Sequence, residues 1–283
     1  MKILKKIGQI LLCPLPLLLT LLLQVVVVFV SMLALAFRDP WNADPYALFM
    51  EQYDIFMLLI QGITFLIFFL WYFLAYGRKQ SLTPLYRLFG GKDLGIFLLF
   101  SIGIYFLTAI YMGLSSVVTP DLMEEYQTMV EESGLGDLTI LSTISTLLMA
   151  PLSEEIIFRG ITLNLSKKAF RYFWLANIIQ ALFFGIAHMN WIQGSYAFLL
   201  GLCLGYVCEV YHSLFAGMLL HLLFNFMGTY GASLISSLPF PDLVYYLFML
   251  VVGVPVTIFC LFWLRKKKNP PPRPAYWTGE PMD

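Results

Sequence analysis

Apolar residues run through this chain in long, uncharged stretches from one end to the other. Each stretch is near or above the ~20 residues that an α-helix needs to cross a ~30 Å hydrocarbon core. Inside lipid every backbone N–H and C=O must be paired within its own segment, so the stretches are expected to be helices. The short alternating segments of a membrane β-barrel are absent. The pattern predicts an all-α integral membrane protein of about eight transmembrane helices, near 10–37, 55–77, 94–118, 140–166, 173–190, 194–211, 213–238 and 243–264. Pro14 and Pro16 predict a kink or an early break in the first. That stretch is too long for the apolar core of a cleaved signal peptide, which favours an uncleaved first helix.

Composition agrees: 60% of the 283 residues are apolar and 12% are charged. The net charge is zero, but the charges are sorted by segment. Lys2, Lys5, Lys6, Arg78, Lys79, Arg87, Lys92, Lys167, Lys168, Arg171 and Arg265 to Lys268 fall at the N-terminus, in alternate connections or in the tail. The other connections carry Asp39, Asp44, Glu51, Asp54, Asp121, Glu124, Glu125, Glu131, Glu132 and Asp137, with only Arg38 against them. By the positive-inside rule both termini are expected to be cytoplasmic. The acidic connection 119–139 reads either as a short amphipathic outer element or as a plain loop. The proline-rich tail 265–283 reads as a basic, extended, solvated segment. The four cysteines show neither zinc-ligand spacing nor a disulfide framework. No phosphate loop and no nucleic-acid signature is present.

Polar groups inside the predicted spans mark the chemistry. The fourth span carries Glu154, Glu155 and Arg159, the fifth His188, and the seventh His221 and Asn225. Each acid or arginine costs about 2.5–3.5 kcal/mol to insert, so the cluster must face the bundle interior or a wet cavity. Glu155 and Arg159, four apart, share a helix face and can pair; Glu154 points about 100° away and is left without a partner in its own helix. Glu209 and His212 sit at the end of the sixth span, and His212 is expected to be solvated. A carboxylate, two imidazoles and a carboxamide on three helices can hydrolyse a bond: Glu154 with His188 activates water, and His221 with Asn225 steadies an oxyanion. The same Glu154, His188 and His221 can instead hold a divalent metal such as zinc, although no H-E-x-x-H motif is present. An interhelical ion-pair network and a proton relay of a transporter are the readings without hydrolysis.

Glu154-Glu155-Ile-Ile-Phe-Arg159, Phe184-Gly-Ile-Ala-His188 and His221-Leu-Leu-Phe-Asn225 resemble the E-E-x-x-x-R, F-x-x-x-H and H-x-x-x-N motifs of the CPBP family of intramembrane proteases. That family comprises type II CAAX prenyl endopeptidases, bacteriocin-processing and immunity (Abi) proteins and their relatives. The resemblance covers roughly 140–235. It implies a polar site between helices four, five and seven, with Glu154 and His188 activating water, His221 and Asn225 binding the oxyanion, and Glu155 and Arg159 in support. It also implies a membrane-embedded or lipidated peptide substrate and membrane lipids as partners. The cofactor is left open between none, in a glutamate mechanism, and a divalent metal. The division that follows is 1–139 as N-terminal helices, 140–238 as the CPBP-like core, 239–264 as the last span and 265–283 as the tail. A bacterial plasma membrane is the expected location. A non-catalytic immunity or scaffold protein of the same fold is the alternative function.

Overall fold

The computed structural model describes residues 2–38, 44–77, 90–132, 139–231, 239 and 241–266. The loop 78–89 and the proline-rich tail beyond Lys266, both part of the charge reading, lie outside the described residues. Every regular element among the described residues is a helix. In chain order they are α1 (Lys2–Leu12), α2 (Leu15–Arg38), α3 (Pro45–Glu51), α4 (Tyr53–Ala75), α5 (Gly91–Val118), α6 (Pro120–Glu132), α7 (Ile140–Phe170), α8 (Phe173–Ala187), α9 (Trp191–Tyr211), α10 (Leu214–Gly231) and α11 (Asp242–Arg265).

Each of the eight predicted stretches is helical over most of its described residues, with 232–238 of the seventh lying outside them, and among the described residues seven helices are long and apolar enough to span a bilayer. The chain is a multi-pass integral membrane protein. The fifth, α8, has 15 residues, or about 22 Å, short of a full hydrocarbon core. It ends at Ala187 rather than at 190, because the chain turns at His188–Asn190 with Met189 at φ 54°. The side chain of Asn190 then caps α9 by accepting the Gln193 N–H at 3.1 Å. The first stretch is two helices. The chain breaks at Cys13 and Pro14, and Pro16 sits in the first turn of α2, where a missing N–H costs nothing. Of the two readings of 119–139, the amphipathic helix holds over Pro120–Glu132. His212 is not solvated: it turns the chain at φ 48° and is buried.

Burial follows the logic of a lipid solvent. Leu18, Leu22, Val25, Phe29, Leu66, Leu70 and Val251 are exposed around the outside. The inner faces of α4, α5, α7, α9 and α10 pack Phe68, Phe97, Phe158, Ile161, Leu204 and Leu220 into one core. The most extensive pairings are α8 with α9 and α5 with α11. Small residues permit the first: a Cβ on Gly185 would come within 2.6 Å of the Gly194 carbonyl, so the two backbones touch.

α7 departs from a regular helix twice, with π turns at Ser145–Met149 and Ile156–Thr162 on either side of an α segment Ala150–Glu155. Pro151 accounts for the first. Its ring disfavours the regular ladder, and the Ala150 N–H bonds the Ser145 carbonyl, five residues back. The next carbonyl, Thr146, would need the N–H of residue 151, which proline lacks. Thr162 braces the second π turn by donating its hydroxyl to the Ile157 carbonyl at 2.9 Å.

Met189 holds a left-handed conformation while 76% exposed. Met189→Gly is expected to raise the thermal midpoint by the equivalent of about 0.5–1 kcal/mol, and Met189→Val to lower it, because a β-branched residue fits positive φ worst. Melting in detergent or nanodiscs checks both.

Candidate active site

The site is built around Glu155. Its side chain has no exposed surface, and its Oε1 accepts from Arg159 Nη1 at 2.8 Å, the i,i+4 pair expected from the spacing. The same oxygen lies 2.9 Å from Nδ1 of His221 on α10. A carboxylate only accepts, so Nδ1 carries the proton of that contact. The opposite nitrogen, Nε2, then faces Glu154, 3.7 Å from its Oε2. That gap is too wide for a hydrogen bond. Glu154 keeps 29% of its side chain exposed, against none for Glu155. Two adjacent carboxylates, one turn-angle apart, thus sit in opposite settings.

Arg159 is also fully buried. Its Nε and Nη2 find no hydrogen bond among the described residues. Instead its Cζ lies 4.3 Å over the Phe184 ring, where the π face attracts the cation. The same ring stands nearly perpendicular to those of His188 and His221, at centroid distances of 4.9 and 5.8 Å. The Phe184 carbonyl is 2.8 Å from His188 Nδ1. Carbonyls near a helix C-terminus lack backbone partners, so this contact satisfies Phe184 and orients His188 with Nε2 outward. His188 is half-buried, and no hydrogen bond joins it to Glu154 among the described residues. Asn225, one turn beyond His221, donates Nδ2 to the Thr146 carbonyl at 2.9 Å. That is the carbonyl orphaned by Pro151.

The structure therefore brings Glu154, Glu155, Arg159, His221 and Phe184 into one connected group, with His188 attached through Phe184 and Asn225 through α7. Glu209 and His212 lie apart from it; Glu209 pairs with Lys167 at 2.7 Å. Among the described residues no three His, Cys, Asp or Glu side chains are grouped as a metal needs. Glu154, His188 and His221 as placed do not fit a three-donor metal site.

Three contributors were not assigned roles from the sequence. Phe184 stood inside a quoted motif, but its hold on Arg159 is a tertiary contact. Pro151 was a visible helix breaker whose consequence, the freed Thr146 carbonyl, needs the π turn to be seen. Gly217 lies four residues before His221 on the same face of α10. A Cβ there would fall 2.7 Å from Glu155 Oε2 and 2.5 Å from Cys208 Sγ.

Gly217→Ala is therefore expected to push Glu155 off its partners and to cost about 1–3 kcal/mol of stability. Gly228→Ala on the same helix, where a Cβ meets nothing within 4 Å, is expected to keep or raise the melting midpoint, because alanine favours a helix over glycine. Thermal unfolding of the two variants side by side makes the comparison.

A family model described as Type II CAAX prenyl endopeptidase Rce1-like matches residues 136–227. The match spans α7, α8, α9 and α10 as far as Met227, and contains Glu154, Glu155, Arg159, His188, His221 and Asn225. No curated protein and no solved structure matches the chain. The helices that carry the buried polar group in this multi-pass integral membrane protein are thus the part of the chain that is similar to Rce1-like, type II CAAX prenyl endopeptidases.

Proposed function

We propose that the chain is an intramembrane endopeptidase that hydrolyses a peptide bond of a membrane-embedded or lipidated substrate. The observation that carries this reading is the division of labour between the adjacent carboxylates. Glu155 Oε1 is held by both Arg159 and His221, while Glu154 stays partly exposed beside His221 Nε2. In this reading a water bridges Glu154 Oε2 and His221 Nε2, which lie 3.7 Å apart.

In this reading Glu154 takes a proton from that water as its oxygen attacks the scissile carbonyl carbon. His188, oriented by the Phe184 carbonyl, offers Nε2 as a second acceptor for the water. The negative charge gathers on the former carbonyl oxygen. His221, in its protonated form, donates Nε2–H to that oxygen, and Glu155 behind it offsets the imidazolium charge. Asn225 uses one amide hydrogen on Thr146 and has a second to offer. Collapse of the tetrahedral species breaks the C–N bond, and the departing amine takes the proton held by Glu154.

Glu154→Gln is expected to lower cleavage by about 10²–10⁴-fold, with little change in folding, because Glu154 makes no hydrogen bond among the described residues and its one close contact, His221 Nε2, is 3.7 Å away. The test compares new protein N-termini in membranes holding equal amounts of wild type and variant. Termini found only with the wild type support the reading. Identical sets of termini, with the cellular effect of the protein kept by the variant, overturn it in favour of an immunity or scaffold role.

A further inference from the structure

The N-terminal helices together are too long for one crossing. α2, with 24 residues, already measures about 36 Å and fills a ~30 Å core alone. α1 adds 11 residues beyond the break at Cys13 and Pro14, so it has no room in the hydrocarbon. Its sequence is two-sided. At 100° per residue Lys5, Lys6 and Gln9 fall on one side, and Leu4, Ile7 and Leu11 on the other. The apolar side is largely uncovered: Leu4, Ile7 and Leu11 are 74%, 48% and 69% exposed. Lys5 and Lys6 are exposed as well.

α1 does not project away from the bundle. It packs along the last turns of α7, Leu163–Phe170. Three contacts place further cations at the same end. Lys167 bonds Glu209 at 2.7 Å, Tyr211 donates to Asp93 at 2.6 Å, and Cys260 Sγ reaches the Ile96 carbonyl at 3.8 Å. The ends of α7, α9 and α11 and the start of α5 therefore lie together. Exposed Arg171 closes α7, and exposed Arg265 and Lys266 close α11.

An amphipathic helix with a bare apolar face and a basic face is stable where lipid and water meet. We propose that α1 lies in the plane of the membrane surface and, with Arg171, Arg265 and Lys266, forms a binding surface for anionic phospholipid headgroups. The apolar side enters the acyl boundary beneath the headgroups. Lys5 and Lys6 face the phosphates, whose charge complements the cations gathered at this end. A phosphodiester carrying net negative charge is preferred over a zwitterionic headgroup of equal size.

Native mass spectrometry of the full-length chain released from mixed phosphatidylglycerol and phosphatidylcholine nanodiscs reads this directly. The wild type is expected to retain phosphatidylglycerol in excess. The double variant Lys5→Gln, Lys6→Gln is expected to lose about fivefold of that excess for each lysine removed. Lys5→Arg, Lys6→Arg keeps the charge and is expected to keep the preference. No excess in the wild type, or the same excess in the glutamine variant, overturns the proposal, and so does an equal loss in the arginine variant.

Discussion

A carboxylate with no exposed surface, Glu155, holds this site together. Taking such a charge out of water costs several kcal/mol unless partners compensate it. Here the partners come from two helices, Arg159 from its own and His221 from α10. Their bonds to one oxygen fix the rotation of α7 against α10, and with it the direction of the His221 ring. Other features serve the same contact: Gly217 leaves the room that Glu155 fills, and Phe184 lies under the guanidinium. With Glu155 so committed, its neighbour Glu154 is left partly exposed and available for chemistry.

A second constraint comes from the backbone. Pro151 cannot complete the ladder of α7, and the π turn that accommodates it leaves the Thr146 carbonyl without its usual donor. Asn225 supplies that donor from α10. An irregularity in one helix is thus satisfied by a polar side chain of another, next to the carboxylates. The same economy appears at the end of α8, where the Phe184 carbonyl, near the helix terminus, is used to aim His188. Backbone groups that a regular helix would pair internally become the fixtures that orient the site.

The spans were legible because a hydrocarbon solvent tolerates so little: long uncharged runs have to be helices. The split between Glu154 and Glu155 was legible for a similar reason, since four-residue spacing to Arg159 is a fixed helical geometry. What stayed hidden depends on contacts between segments. Nothing local distinguishes a π turn, and the role of Phe184 exists only once α7 and α8 meet. The fifth span was drawn to 190, whereas α8 stops at Ala187, through an unfavourable left-handed Met189 that propensity does not foretell. α1 was missed because the first span was drawn from residue 10 and Lys2, Lys5 and Lys6 were read only as the charges of a cytoplasmic end, although the apolar positions between them repeat with helical spacing. His212, placed in solvent for its polarity, is instead packed in a left-handed turn.

The central claim is that two adjacent carboxylates have opposite duties, Glu155 to hold the site and Glu154 to work in it. Thermal unfolding of Glu154→Gln and Glu155→Gln in the same nanodiscs separates them most directly. The account predicts that Glu154→Gln melts within about 1 °C of the wild type. It predicts that Glu155→Gln, which leaves Arg159 buried without its counter-charge, loses about 3–5 kcal/mol. Equal losses in the two variants, or a Glu155→Gln protein as stable as the wild type, would contradict it.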